Sequence, residues 1–387
     1  MSVTAPEGFA AAGFACGLKS AGGKDLAFVV NRGPRQAAAA VFTGNRAKAN
    51  PVLWSQQAAA DGIVTAIVLN SGGANCYTGV QGFQATHRTA ELAAGLLGVS
   101  SADVLVCSTG LIGEQLDMAK ITAGVTGAHH ALSADGGHDA ALAIMTTDTH
   151  PKETVVSRGG WSIGGMAKGA GMLAPGLATM LVVLTTDAEL GPAELDTALR
   201  AATRITFDRL DSDGCMSTND SVALLASGAS GIAPTPAEFT DALTEACTSL
   251  ARGLQEDAEG ASHDITIEVV HAESEDDAVE VGRAVARSNL FKTAIFGNDP
   301  NWGRVLAQVG TVPVEVAAYD PDRLDVRING VQVCRAGGVG EPRELVDLAA
   351  HREVSVDIDL HAGSAQATVW TNDLTHDYVH ENSAYST

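Results

Sequence analysis

The sequence is poor in aromatic side chains and in positive charge. Phe, Trp and Tyr make up 4% of its 387 residues, so its core has to be filled by aliphatic side chains and alanine. Lys and Arg number 24 against 46 Asp and Glu, a formal net charge of -22. Binding to nucleic acid rests on cations that neutralise phosphates, so no nucleic-acid partner is expected. An apolar run long enough to span a bilayer is missing, and Met1–Glu7 lacks the basic start and apolar stretch of a signal peptide. No membrane partner and a cytoplasmic location are therefore expected. The six cysteines (Cys16, Cys76, Cys107, Cys215, Cys247, Cys334) include no C-x-x-C pair, which suits reduced thiols in apolar surroundings. Among eleven histidines, His129 and His130 are neighbours, but no H-E-x-x-H or similar ligand spacing occurs, and no metal is expected. Gly17-Leu-Lys-Ser20 lacks the frame of a phosphate loop, which sets nucleotide binding aside.

What is present points to a globular chain with a large core: 45% hydrophobic residues against 18% charged. The length allows one large domain or two intimately packed ones. Strand-like runs occur at 27–30, 64–69, 104–107, 178–184, 222–225, 265–270, 354–360 and 367–370. Helical periodicity covers 81–97, 191–204, 235–254 and 273–288, and Thr235-Pro-Ala-Glu238 reads as a capping box. Leu324 to Cys334 reads as a hairpin turning at Asn329-Gly330. Strands often follow one another directly, which disfavours a strict βαβ repeat and favours a mixed α/β sandwich. The polar connector Gln255–Asp264 runs straight into a strand, so it is not read as a domain linker.

Several motifs carry potential chemistry. A glycine-rich stretch, Lys168 to Gly176, leads through Leu177 to Ala178-Thr179 and the apolar run Met180–Leu184. A small residue and a threonine at the mouth of a buried strand fit a self-cleaving N-terminal nucleophile, whose new α-amine serves as its base. They also fit an ordinary buried strand. Gly160-Trp-Ser-Ile-Gly164 matches a nucleophile elbow, but the glycines that follow cannot readily start a helix, so a hairpin turn is expected. Ser108-Thr109-Gly110 ends a strand with a hydroxyl beside a glycine N–H, a pair able to bind an oxyanion or simply to turn the chain. Asn70–Asn75 and Asp211–Asp220 read as loops able to wall a site. Phe296–Arg304 reads equally as a structural loop or a site wall.

In series, these pieces resemble the ornithine acetyltransferases of arginine biosynthesis, the glutamate N-acetyltransferases of ArgJ type. The matching segments are Asn70–Gly79, Ser108–Glu114, Met145–Thr149, Lys168–Leu181, Asp213–Asp220, Asp257–Ala261, Lys292–Arg304, Asp373–Thr375 and Asn382–Thr387, in family order. The resemblance implies an α/β (α+β) fold, a mixed-sheet sandwich of the ArgJ/DmpA-like type with an autoprocessed N-terminal nucleophile. It implies a cut between Ala178 and Thr179 into an α chain, 1–178, and a β chain, 179–387. Together these form one catalytic unit and an α2β2 heterotetramer. It makes Thr179 the nucleophile, Thr109 and Gly110 the oxyanion hole, and Thr146, Lys168, Thr179, Glu259, Asn382 and Thr387 the substrate-binding positions. Gly73, Asn372 and the pair His380-Glu381 depart from the family's usual residues.

The implied reaction is ping-pong: Thr179 takes the acetyl group from N-acetylornithine and passes it to glutamate. No histidine triad is required, and none is evident. No spacing reads as a coenzyme A site, so no cofactor is expected and acetyl-CoA enters only as an alternative acetyl donor. An N-terminal-nucleophile aminopeptidase or amidase of the same architecture is the other enzymatic reading, and a non-catalytic binding protein the third.

Overall fold

A computed structural model describes residues 2–174 and 180–384. Pro175, Gly176, Ala178, Thr179 and Thr387 lie outside the described residues. In chain order the strands begin with β1 (Phe9–Phe14), β2 (Leu26–Asn31), β3 (Ala37–Phe42), β4 (Ala66–Ser71) and β5 (Val104–Thr109). They continue with β6 (Lys152–Arg158), β7 (Trp161–Lys168), β8 (Leu181–Thr186) and β9 (Ser221–Ala226). The last are β10 (Asp264–Ala272), β11 (Asp325–Ile328), β12 (Val331–Arg335), β13 (Gly338–Val339), β14 (Glu353–Asp359) and β15 (Ala365–Asn372).

These form three mixed sheets, ordered β1-β2-β4-β5, β3-β9-β8-β7-β6 and β13-β12-β11-β14-β10-β15. The first two lie face to face. Leu181 and Val183 of β8 point into the shared core with Ile67, Leu69 and Leu105 of the neighbouring sheet. Val182 and Leu184 point the other way, against Leu199, Phe239, Leu243 and Leu250 of the helices Pro192–Arg204 and Pro236–Glu256. Burial on both faces explains why 180–184 reads as an unbroken apolar run. The outer face of the four-stranded sheet carries the helices Gly79–Leu97 and Met118–His130, through Ala90, Ala94, Ile121 and Val125. The result is a four-layer sandwich, helix–sheet–sheet–helix, and the mixed α/β sandwich expected from the order of elements is the fold the chain adopts.

The six-stranded sheet builds a further core with the helices Glu275–Ala286, Asn289–Phe296 and Trp302–Val309. It is tied to the sandwich by Gln255, fully buried at the end of the long helix, whose Nε2 donates to the carbonyls of Ile265 (3.1 Å) and Thr371 (2.8 Å). The connector after Gln255 is thus a joint and not a linker. The capping box forms as expected: Thr235 Oγ1 accepts from Glu238 N at 3.3 Å and Glu238 Oε2 from Thr235 N at 3.0 Å. Gly159-Gly160 makes the β6–β7 hairpin turn with φ of 49° and 89°, so Ser162 lies on a strand and not on a nucleophile elbow. Asn329-Gly330 turns the β11–β12 hairpin with both φ positive. Among the described residues, no helix is long and apolar enough to cross a membrane.

Candidate active site

The parallel strands β4 and β5 end side by side, with Ser71 paired to Thr109. The Thr109 carbonyl accepts two backbone N–H groups, from Gly72 at 2.9 Å and Gly73 at 3.0 Å. Gly110 follows with φ of 126°, and a Cβ there would stand 2.6 Å from Gly73 N. Only glycine lets the two turns approach this closely. Ser108 Oγ donates to Asn70 Oδ1 at 2.6 Å, and Asn219 Nδ2 donates to the carbonyls of Ala74 (2.7 Å) and Ser108 (2.8 Å). The loops at 70–75 and 211–220 therefore clamp the Thr109-Gly110 turn from two sides.

Lys168 enters at the end of β7. It is 2% exposed, and its Nζ donates to Thr109 Oγ1 at 3.3 Å. Burial pushes its pKa down and Lys152 adds to this, while the carboxylates of Asp148, Asp220 and Glu259 act against it. Behind it lies a buried ion cluster. Lys152 Nζ meets Asp148 Oδ1 at 2.6 Å and also Asp257 Oδ2, all three side chains under 5% exposed. Asp148 further accepts the N–H groups of Gly169 (2.7 Å) and Thr146 (2.9 Å). Burial alone would raise the Asp148 pKa, but the Lys168 and Lys152 ammonium groups hold it at about 2. One carboxylate thus fixes the turn carrying Thr146 and the strand end carrying Lys168.

Acidic residues belong to the same site. Glu259 follows the long helix and is placed by its own N–H, which donates to the Ala170 carbonyl at 3.0 Å. Gly260, at φ of 61°, lies against the C-terminal helix His376–Ala384, where a Cβ would stand 2.2 Å from Tyr378 N. Thr375 Oγ1 closes this contact, donating to the Gly260 carbonyl at 2.6 Å and accepting from Tyr378 N at 2.9 Å. Asp213 accepts the N–H groups of Met172 (2.7 Å) and Cys215 (3.1 Å). Burial pushes the Tyr378 phenol up to about 12, helped by Asp213 and Glu259, so it stays a neutral donor at physiological pH.

Thr109, Gly110, Thr146, Lys168, Glu259 and Asn382 all line one cavity of about 640 Å³, with Gly72 and Asp213 from the two expected wall loops. The lining combines a hydroxyl, an adjacent glycine backbone and an ammonium group with carboxylates. Such a pocket suits a small molecule carrying both a carboxylate and an amine. Gly171 and Met172 of the glycine-rich segment line the cavity, and Met180 N donates to the buried Asp220 Oδ1 at 3.1 Å. Burial pushes the Asp220 pKa well up. Phe296–Arg304 contributes no lining residue; Trp302 packs on the core of the six-stranded sheet, which settles that loop as structural.

Sequence reasoning had assigned no site role to Leu18, Lys19, Leu111, Ile112 and Tyr378, which also line the cavity, nor to Asp148 and Lys152 behind it. The i,i+4 spacing of Asp148 and Lys152 was visible, but the pair spans a turn and a strand rather than one helix.

Comparison with known proteins identifies the family. The model of the ArgJ family matches residues 10–387. The arginine biosynthesis bifunctional protein ArgJ of Streptomyces coelicolor is 63% identical over 386 residues, covering 100% of both chains. Its counterpart from Thermobifida fusca is 62% identical over 387 residues, again 100% of both. Among solved structures, the ornithine acetyltransferase complexed with ornithine from Mycobacterium tuberculosis is 50% identical. It covers 46% of this chain and 96% of its own, with a TM-score of 0.45. With a family model and full-length relatives spanning the segments that build the cavity, the chain belongs to the ArgJ family.

Proposed function

We propose that this enzyme of arginine biosynthesis moves the acetyl group of N2-acetylornithine to glutamate through an acetyl-Thr179 intermediate. The observation that carries the proposal is the convergence of Thr109, Gly110, Lys168, Glu259 and Asn382 on one cavity. Thr179 Oγ first attacks the Ala178 carbonyl, and water hydrolyses the resulting ester, leaving Thr179 at the head of a β chain, 179–387, beside an α chain, 1–178. The freed α-amine has a pKa of about 8, so an appreciable neutral fraction accepts the hydroxyl proton near pH 7.

In turnover, Thr179 attacks the acetyl carbonyl, ornithine leaves with the proton, and the glutamate amine then attacks the acetyl-enzyme. Both tetrahedral intermediates place negative charge on the former carbonyl oxygen, which the Thr109 hydroxyl and Gly110 N–H stabilise. A preorganised donor of this kind contributes about 10²–10³ in rate. Thr109 receives the Lys168 hydrogen bond, so its hydroxyl is left to donate into the cavity. Thr146, Lys168, Glu259, Asn382 and Thr387 would hold the substrate's charges. The bifunctional name that the relatives carry supports acetyl-CoA as a second acetyl donor. An α2β2 heterotetramer acting in the cytoplasm completes the proposal.

Intact mass and product analysis test it together. The wild-type protein is expected as two chains and forms N-acetylglutamate from N2-acetylornithine and glutamate, whereas Thr179→Ala stays whole and inactive. A single uncut wild-type chain with full activity refutes the nucleophile. Release of free acetate at a rate indifferent to glutamate would favour the amidase reading.

A further inference from the structure

At the far end of the six-stranded sheet, two histidines and two aspartates meet. β10 and β14 run parallel, and His271 and His361 lie at or just beyond their last paired residues, Val270 and Asp359. His271 Nδ1 stands 2.8 Å from Asp359 Oδ2, and His361 Nδ1 stands 3.4 Å from Asp359 Oδ1. One ligand atom from each of the three residues falls within 4.8 Å of the others. In a tetrahedral zinc site with bonds of about 2.0–2.1 Å, ligand atoms are separated by about 3.3 Å. The observed spacings bracket that value.

The backbone holds both histidines in place. Their φ values are 54° and 50°, a left-handed conformation, and the carbonyl of His271 accepts two N–H groups, from Ala362 and Gly363, each at 2.8 Å. The end of β10 and the loop after β14 are thus tied together by backbone hydrogen bonds. The other ring nitrogen of His361, Nε2, lies 3.2 Å from Asp325 Oδ2, and Asp325 is itself fixed by the Ala336 N–H at 2.8 Å. A carboxylate on the distal nitrogen is the arrangement that orients a metal-binding imidazole and raises its basicity.

We propose that His271, Asp359 and His361 form a binding site for a divalent transition-metal ion of the Zn²⁺ class, with Asp325 orienting His361. Two imidazoles and a carboxylate suit Zn²⁺, Ni²⁺ or Cu²⁺, whereas Mg²⁺ and Ca²⁺ prefer oxygen alone. Histidine spacing in the sequence led to the expectation of no metal, because one ligating histidine lies at the end of β10 and the other in the loop after β14, 90 residues on, so they make no local motif. None of these residues lines the active-site cavity. β10 starts at Asp264, five residues after the cavity residue Glu259, and runs about 23 Å at ~3.3 Å per residue to His271. The ion would therefore pin the end of β10 to the loop after β14 and leave the acyl-transfer chemistry alone.

The test is calorimetric titration of the whole protein with ZnCl₂ alone, against His271→Asn, His361→Asn and the double variant. Asn tolerates the left-handed conformation, so the variants keep the loop geometry. The wild type is expected to bind one equivalent of Zn²⁺ more than the double variant, and Mg²⁺ not to compete. Asp325→Asn should weaken that equivalent about 10–100-fold, as loss of an orienting carboxylate does. Added Zn²⁺ should raise the thermal midpoint of the wild type and not of the double variant, with transferase rates equal in both. No binding by the wild type at about 1 mM Zn²⁺, a regime of millimolar affinity or weaker, overturns the proposal. So does unchanged binding in the double variant.

Discussion

Replacing Gly110 by alanine tests the oxyanion turn where its geometry is tightest. The new Cβ would lie 2.6 Å from Gly73 N and 3.0 Å from Gly72 C, about 0.8 and 0.4 Å short of the 3.4 Å at which ordinary contact begins. Both obstacles are backbone, held by N–H bonds to the Thr109 carbonyl at 2.9 and 3.0 Å, so no flexible side chain can absorb the collision. Either those two bonds break or the Gly110 N–H swings away from the cavity. A displacement near 1 Å costs about 100-fold in a positioned active site, and losing an oxyanion donor about 10²–10³. We therefore expect kcat/KM for acetyl transfer to fall about 100–1,000-fold in Gly110→Ala, mostly in kcat, since the donor acts on charge that develops in the transition state. Gly113→Ala is the control. Its φ is also positive at 89°, but nothing lies within 4 Å of the added Cβ. It carries backbone strain of about 1–2 kcal/mol without the collision, and should keep its rate within a few-fold. Steady-state kinetics on both variants, with circular dichroism to check folding, decide the matter. A Gly110→Ala enzyme within tenfold of wild type, or equal losses in both variants, refutes the reasoning.

Two further outcomes follow from the ion cluster and the long helix. Asp148 has a folded pKa of about 2, below the usual 3.8, so its contribution to stability is full above pH 4 and disappears as pH falls toward 2. That shift corresponds to about 2 kcal/mol, and urea unfolding of Asp148→Asn should lose this acid-dependent part together with about 3–5 kcal/mol at neutral pH, where Lys152 and Lys168 are left short of counter-charge; a neutral-pH loss below about 1 kcal/mol contradicts it. Thr235→Ala removes the cap of helix Pro236–Glu256 and should lower unfolding free energy by about 1 kcal/mol without touching kcat; an unchanged denaturation midpoint argues that the helix end is held by packing alone.

Legibility in the sequence followed burial pattern. β8, β9, β10 and β14 announce themselves because β-branched and aliphatic residues are continuous or alternate there. β1 and β3 do not, since Phe9-Ala-Ala-Ala-Gly-Phe14 and Ala37-Ala-Ala-Ala-Val-Phe42 are alanine-rich and alanine disfavours strands in isolation. Their tertiary setting overrides that preference, small side chains letting the sheets and the helix Gly137–Ile144 pack closely. The C-terminal helix was equally silent: it is short, polar and fully outside the core, and its place is set by Thr375 and the Gly260 contact. The cavity's residues lie on elements far apart in the chain. Composition and periodicity placed Thr109-Gly110 at a strand end and Lys168 at the head of a glycine-rich segment, but only the family resemblance grouped them with Glu259 and Asn382. Asp148 lay within the matching segment Met145–Thr149 without a role, because a carboxylate that works behind the wall touches no ligand.

The strand order β3-β9-β8-β7-β6 gives the proposed cut at 178/179 a mechanical meaning. β3, β7 and β6 come from the piece before the cut, and β9 and β8 from the piece after it. The later piece's pair is thus wedged between the earlier piece's strands, held along one side by the β3–β9 ladder and along the other by β7–β8. Separating the halves means unzipping both ladders at once and laying bare four strand edges, those of β3, β9, β8 and β7. A nicked protein of this topology behaves as one body, leaving a column as one peak and splitting only in denaturant. The same interleaving makes the later piece a poor candidate for production by itself, because its central strands are made to be covered on both flanks by a segment translated before them.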